Sequence, residues 1–382
     1  MIVKMEEIEL IATSTFGLEA VVKRELLSLG YEDLKVENGK ITFKATEKDI
    51  PRVNLWLRSA DRVLLKMGEF KATTFDELFE RTKALPWDEW ITEDGEFIVE
   101  GKSVNSQLFS ISDCQAIVKK AVVEKLKTKY PRDWFEETGA RFTIEVSLLK
   151  DVATLTIDTS GDGLHKRGYR VDSVEAPLKE TLAAALVQLS YWNKNRLLID
   201  PFCGSGTIPI EAAMIGKNIA PGLNRNFASE GWPRVDKRYW QDARREAWDL
   251  MLLDERLNII ASDIDEKAIK TAKKNAEVIG LEEDINFIRQ DVRDLKIEEE
   301  YGVIITNPPY GERIGEKKEV EKLYIDIGNK FRNLDTFSIY VLTSNEDFEK
   351  LYGKPASRRR KLYNGRIKVD YYQYYGPKPP KK

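Results

Sequence analysis

The sequence predicts an α/β protein, a doubly wound and mostly parallel sheet in the C-terminal half preceded by an α+β region. Three observations carry this. From about Pro177 onward, short apolar runs alternate with helix-length stretches, as expected of a parallel sheet covered on both faces. Before about residue 160 the units are shorter and read strand, helix, strand. At 382 residues the chain is too long for one average core, so two or three domains are expected.

Taken in order, IELIATS reads as the first strand. A helix follows from about Phe16 to Leu29, with Leu18, Val21, Val22, Leu26 and Leu29 on one face and Gly30 closing it. KITFKAT alternates as a strand. GEFIVEGKSV is a further strand, DCQAIVKKAVVEKLKTKY an amphipathic helix, and RFTIEVSLLK with VATLTIDTS a hairpin-like pair. No chemically promising cluster appears in this half. GDGLHKRGYRVDSVEA, residues 161–176, reads as a linker. The strands beyond it are RLLID, NIIASD, INFIRQD, GVIITN and FSIYVLTSN, and the chain finishes on a hairpin signalled around Asn364 and Gly365.

Composition narrows the function classes. The chain is 42% hydrophobic and 33% charged, with no apolar run of the length a membrane span needs, and its charged start does not read as a secretory signal. A cytoplasmic protein without a membrane partner is expected. Cys114, Cys203 and the single histidine, His165, are too few for a disulfide framework or a structural zinc site, so no metal is expected. A net charge of −3 gives no global support for a nucleic-acid partner. Local support exists in the tail from Lys354, where basic residues interleave with aromatics and Asp370 is the one acid. A solvated basic face reads equally well there.

DPFCGSGT, Asp200 to Thr207, lies between a strand and the helix IPIEAAMIG. Its glycines allow backbone to approach a ligand at a helix start. Ile208 and Pro209 follow Thr207, so a Walker loop is excluded, and the dinucleotide fingerprint fails because Pro209 replaces its third glycine. Acids then recur at strand ends: Asp263 after NIIAS and Asp291 after INFIRQ. Either acid alone also reads as a helix cap. Ligand-capable loops in succession, followed by Asn307-Pro308-Pro309-Tyr310 after GVIIT, converge where doubly wound sheets bind ligands, outside the carboxyl ends of the strands.

With these motifs in place, residues 165 to 376 resemble the class I S-adenosylmethionine-dependent methyltransferases carrying an NPPY motif. The resemblance implies a Rossmann-like, mostly parallel seven-stranded sheet. It implies S-adenosylmethionine as cofactor, held by Asp200, Pro201, Phe202, Gly204, Ser205, Gly206, Thr207, Asp263, Ile264, Asp291, Val292 and Asn307. It implies catalysis by Asn307, Pro308, Pro309 and Tyr310. EAPLKETLAAAL, from Glu175 to Leu186, resembles the preceding helix whose start contacts the cofactor. The segment Ile215 to Arg256 departs from the pattern as a long insertion between the first two strands, expected to shape the substrate side. LHKRGYR, residues 164–170, followed by APLKETLA, is similar to the linker of the THUMP-domain enzymes that methylate the 2-amino group of guanine in RNA. This finer resemblance implies a ferredoxin-like subdomain at 1–65, a THUMP RNA-binding domain at 66–160, the linker at 161–176 and the methyltransferase domain at 177–382. Closest in layout are the enzymes acting on 23S ribosomal RNA, with a tRNA-acting branch sharing the same parts.

The NPPY corner has a physical rationale. An exocyclic amine is a poor nucleophile because its lone pair is delocalised into the ring. The Asn307 side-chain oxygen and the Pro308 carbonyl are acceptors able to hold its N–H groups out of conjugation. Pro309 has no N–H to donate and fixes the corner, Pro308 biases Asn307 away from helix, and Tyr310 offers a stacking face to the base. Lys166, Arg167, Arg170, Arg358, Arg359 and Arg360 are candidate RNA-backbone contacts, and His165 reads as a phosphate or backbone contact. Cys203 reads as a small residue that fits beside the cofactor. Two rivals stand beside this reading: an adenine-N(6) DNA methyltransferase with the same corner chemistry, and a binding protein that kept the fold but not turnover.

Overall fold

The computed structural model describes residues 6–132, 134–171, 178–311 and 317–380. The first half runs β1 (Ile8–Ser14), α1 (Glu19–Ser28), β2 (Lys35–Glu37), β3 (Lys40–Ala45), α2 (Asp49–Trp56), β4 (Ala60–Lys71), α3 (Phe75–Lys83), α4 (Trp87–Trp90), β5 (Glu96–Val104), α5 (Ile111–Lys129), β6 (Arg141–Leu149) and β7 (Val152–Asp158). Its strands form one seven-stranded sheet in the order β2-β3-β1-β4-β7-β6-β5. β4 makes the sheet continuous. Its stretch from Ala60 to Lys66 pairs with β1, and that from Leu64 to Lys71 pairs with β7. The boundary expected at residue 65 therefore falls inside a strand that both flanks share.

The second half runs α6 (Glu180–Leu189), β8 (Leu198–Asp200), α7 (Thr207–Gly216), α8 (Lys237–Asp249), β9 (Ile259–Asp263), α9 (Glu266–Glu277), β10 (Asn286–Arg289), β11 (Val303–Thr306), α10 (Lys317–Phe331), β12 (Ser338–Thr343), α11 (Phe348–Tyr352), β13 (Arg358–Asn364) and β14 (Ile367–Tyr374). The strands form a seven-stranded sheet, β10-β9-β8-β11-β12-β14-β13. It is parallel from β10 to β12 and closes with the antiparallel pair β14 and β13. Successive residues of each strand feed opposite faces. Leu198, Val303, Ile305, Tyr340 and Leu342 enter one core, while Ile199, Ile304, Ile339 and Val341 enter the other. That two-sided burial is why these strands read as unbroken apolar runs. The order reverses at β8, so the chain leaves β8 and β11 side by side with their carboxyl ends on one edge, and the ligand crevice is expected there.

The chain divides into two compact units whose boundaries are not purely sequential. The first takes in the chain up to Ser14, Val22–Leu164 and Asn226–Glu246; the second takes in Thr15–Val21, His165–Arg225 and the chain from Ala247 on. The middle of the long insertion, residues 226–246, belongs to the first unit, held by identifiable contacts. Trp232 stacks on Phe142 with ring centroids 5.0 Å apart and donates its indole N–H to the Arg141 carbonyl at 3.1 Å. Arg234 lies over the Trp90 ring at 4.4 Å and pairs with Glu6, Glu47 and Glu89 at 2.7–2.9 Å. The N-terminal helix also differs from expectation, starting at Glu19 rather than Phe16, because Gly17 sits at φ +92°, outside helical geometry. Among the described residues no helix is long and apolar enough to cross a membrane.

Candidate active site

The carboxyl edge of the second sheet carries a cleft of about 930 Å³, lined by the loops after β8, β9, β10 and β11. Of the residues expected to hold a cofactor, Asp200, Pro201, Phe202, Gly204, Ser205, Thr207, Asp263, Ile264, Asp291, Val292 and Asn307 line it, as do Pro308, Pro309 and Tyr310. Gly206 does not line the cleft; it is the residue that lets the loop pass into α7. Its φ is +84°, and a Cβ there would meet the Ala272 Cβ at 3.0 Å, so a side chain is excluded on both counts.

Asp200 ends β8 and is buried, 1% exposed. Its Oδ1 accepts from the Thr306 hydroxyl at 2.8 Å and from the Phe202 N–H at 3.2 Å. Burial pushes its carboxyl up to about 7, against the pull of those two donors and with a further push from the charge of Asp263. Thr306, the last residue of β11, was not singled out from sequence. It ties the glycine-loop strand to the strand that delivers Asn307, because β8 and β11 are parallel neighbours.

Asp263 ends β9, and its two oxygens shape the cleft wall. Oδ2 accepts the Gly204 N–H at 3.0 Å and Oδ1 the Asp265 N–H at 2.9 Å. Burial raises its pKa from the ordinary carboxylate value. The cap of α9 is Asp265, not Asp263. Asp291, by contrast, does cap: it accepts the Arg293 N–H at 2.9 Å at the start of the short 3-10 turn Val292–Asp294. The hydrogen-bonded Arg293 side chain also holds the Asp291 carboxyl below its ordinary value. Ile264, between these loops, leaves 60% of its surface exposed and supplies an apolar wall. Cys203 is buried at the cleft wall, and that burial pushes its thiol well above the ordinary value.

At the NPPY corner the Tyr310 hydroxyl donates to Asn307 Oδ1 at 2.6 Å. An amide oxygen has two lone pairs, so one stays available to an incoming N–H. The Pro309 carbonyl accepts from the buried Tyr324 hydroxyl at 2.7 Å, which also pairs with Thr343 at 2.8 Å. Pro309 is therefore held as part of the scaffold, and Tyr324 is a positioning residue whose place on the apolar face of α10 hid it in the sequence. The cleft also takes in Asn364 and Ile367 from the β13–β14 hairpin.

The basic residues of the linker fall elsewhere than expected. Arg167 is buried beside Glu211, 3.4 Å away, with side-chain exposures of 2% and 0%, and Tyr169 donates to the same carboxylate at 3.1 Å. Its charge is spent inside the unit and cannot meet a phosphate. Arg170 donates to Glu180 at 2.8 Å, Ser205 Oγ at 3.0 Å and Thr207 Oγ1 at 3.2 Å, so it braces the glycine loop from behind. Asn275 adds to that brace, donating to the Ser205 carbonyl and accepting from the Val171 N–H, both at 3.0 Å. Lys166 is exposed and His165 is half-buried, its pKa lowered by burial. On β13, Arg358 is exposed, Arg359 pairs with Asp370 at 2.6 Å, and Arg360 is partly buried. Glu175, at the start of the expected cofactor helix, lies outside the described residues; α6 itself begins at Glu180.

The residues present fit an adenosyl sulfonium cofactor. Acidic groups line the cleft, the glycine loop brings backbone without bulky side chains to its wall, and Ile264 and Val292 add apolar lining beside Asp291. The comparisons with known proteins agree. A family model described as the RMKL-like methyltransferase domain matches residues 167–373, an RlmL ferredoxin-like domain matches 9–64, and a THUMP domain matches 72–158. YpsC of Bacillus subtilis (strain 168), whose name places it among RNA methyltransferases, is 56% identical over 380 residues, covering 99% of this chain and 98% of that one. A ribosomal RNA large subunit methyltransferase K/L of Syntrophotalea carbinolica is 35% identical across 94% of this chain, which spans 52% of that relative's length. A crystal structure from Listeria monocytogenes, named as a predicted N6-adenine-specific DNA methylase, superposes with a TM-score of 0.93 at 55% identity over 97% of both chains. SMU.472, crystallised with SAH, superposes with a TM-score of 0.93 at 46% identity over 98% of this chain and 100% of that one.

Proposed function

The chain belongs to the RMKL-like methyltransferase family, which uses S-adenosylmethionine, and on that premise we propose that it methylates the exocyclic 2-amino group of a guanine in RNA, with 23S ribosomal RNA as substrate. One observation carries the reading: Asn307 and Tyr310 share a single cleft with Asp200, Asp263 and Asp291. When bound there, the cofactor supplies an electrophilic methyl group on sulfur.

The chain's residues do the rest. Asn307 Oδ1 accepts one N–H of the amine, and the Pro308 carbonyl, at the same corner, takes the other. Holding those hydrogens turns the nitrogen lone pair out of the ring and toward the methyl. As the new N–C bond forms and the C–S bond breaks, positive charge grows on nitrogen, and these acceptors stabilise it more than they stabilise the neutral amine. The surplus proton on the alkylated nitrogen is acidic and passes to water, so no strong base is required. Tyr310 covers a face of the base, replacing stacking lost when the nucleotide leaves its helix.

The THUMP match and the names of the relatives support RNA, and the ribosomal name of one relative supports 23S ribosomal RNA. The name of the Listeria structure favours a second reading, N6-methylation of adenine in DNA, whose chemistry at the corner is the same. The test is incubation with methyl-labelled S-adenosylmethionine and separate pools of protein-free 23S transcript, tRNA and DNA, followed by nucleoside analysis. N2-methylguanosine in the 23S pool is expected. Label confined to tRNA would move the substrate, and N6-methyladenine in DNA would overturn the assignment.

A further inference from the structure

The N-terminal segment Thr15–Val21 belongs to the second unit although the strand before it and the helix residues after it belong to the first. Leu18 and Val21 are buried in the second unit's core together with Leu362 of β13. Between them and the strand before, Gly17 has φ +92°, and a Cβ at that position would lie 3.0 Å from the Lys361 carbonyl oxygen and 3.3 Å from a Leu362 methyl. The backbone is thus pressed against β13 where only glycine fits. The consequence is the placement of Phe16. Its ring meets Tyr363 edge-on at 6.2 Å and 74°, yet 52% of the residue stays exposed. Lys361, also exposed, sits over the Tyr363 ring at 5.5 Å. Exposed Arg358 and Arg366 lie on the same hairpin, and β13 is the edge strand of the sheet. The tip of this hairpin supplies Asn364 and Ile367 to the catalytic cleft.

We propose that Phe16, Tyr363 and Lys361 form a landing platform for single-stranded RNA beside the cleft, taking the nucleotide next to the one that enters it. This rests on the reading of the chain as an RNA methyltransferase. Drawing a base out of its stack uncovers its neighbour's face, and an aromatic ring at the mouth of the cleft replaces that lost contact. A lysine next to the ring meets the connecting phosphate. Aromatic surface and exposed positive charge occur together here, on the hairpin whose tip lines the pocket where the target base must sit. That juxtaposition selects a nucleic-acid strand over a protein partner.

The experiment uses the full chain and a fluorescein-labelled single-stranded oligoribonucleotide carrying one 2-aminopurine, titrated by anisotropy and by quenching. Phe16→Ala and Tyr363→Ala should each weaken binding roughly tenfold, the loss of one stacking contact, with Phe16→Trp near wild type. S-adenosylmethionine affinity should not change in any of them. Lys361→Ala should flatten the dependence of log K on log salt by about 0.7, the share of one phosphate on a single strand, while Phe16→Ala leaves that slope alone. Wild-type oligonucleotide binding in both Phe16→Ala and Tyr363→Ala would overturn the platform, and so would an equal loss of cofactor affinity. The outcome is separable from the reading beneath it. If the 23S transcript is methylated but these variants bind like wild type, the platform fails alone; if no RNA is methylated while Phe16 still governs oligonucleotide binding, the substrate assignment fails alone.

Discussion

Asp200→Asn tests what a carboxyl buried in the floor of the cleft is for. Burial pushes the Asp200 carboxyl from an ordinary 3.8 to about 7. Between those values the folded chain keeps a proton that the unfolded chain has released. The stability of the cofactor-free protein therefore falls as pH rises through this window and levels off above 7. At ~1.4 kcal/mol per pKa unit the displacement sets a ceiling of about 4 kcal/mol on the cost of ionising the group. An asparagine oxygen can still accept from Thr306 and from the Phe202 N–H, so Asp200→Asn removes the charge and keeps the contacts. Its Tm should exceed wild type at pH 8 and converge with it toward pH 4.5. The cofactor is cationic and prefers the ionised carboxylate, so wild-type affinity by calorimetry should be roughly tenfold weaker at pH 6 than at pH 8. Asp200→Asn should bind weakly and show a flat profile over that range. An unchanged pH dependence in the variant, or a flat profile in wild type, would refute the assignment of the charge to cofactor binding.

Other outcomes follow from contacts already described. Asn307→Ala should lower single-turnover methyl transfer by roughly 10²–10³-fold while leaving cofactor affinity intact, since it removes an acceptor that matters most in the transition state; an equal loss in affinity would show a binding role instead. Trp232→Ala, which strips a stacked and buried ring from the first unit, should cost about 3–5 kcal/mol by denaturant titration and leave S-adenosylmethionine binding by the second unit unchanged. Arg167→Met should cost about 3–5 kcal/mol because it removes the cation from the buried Glu211 carboxylate, and Arg167→Met with Glu211→Leu should recover most of it; a double variant no more stable than the single one would show that the Arg167 charge is not what Glu211 depends on.

The sheet of the second unit was legible because its physics is periodic. Runs such as VIIT bury both faces, so their residues are apolar without alternation, and a parallel connection forces each following loop onto the same edge. Asp200, Asp263, Asp291 and Asn307 therefore fall together by topology, and their types could be read as ligands before any neighbour was known. The hairpin signal at Asn364 and Gly365 lands one residue early; the strands pair through Asn364 and Ile367, leaving Gly365 and Arg366 as the turn.

What stayed hidden depends on partners far away in the chain. Arg167 and Arg170 carry the same charge as Lys166, and nothing local distinguishes them. Burial does: Glu211 on α7 takes the first, and Ser205, Thr207 and Glu180 take the second. Thr306 looks like the end of a β-branched run until β8 is placed beside β11, when its hydroxyl becomes the donor that opposes the rise in the Asp200 pKa. Phe16 shows the sharper version of this problem. Its position at the expected start of a helix makes it indistinguishable from a helix-entry residue, and the cue that separates them is Gly17. A glycine one residue after an exposed phenylalanine wastes conformational entropy unless another backbone must come close, and here that backbone belongs to Lys361, hundreds of residues later in the sequence. The glycine records a tertiary contact whose partner the sequence does not name, which is why the aromatic it positions could be interpreted only after the edge strand was in view.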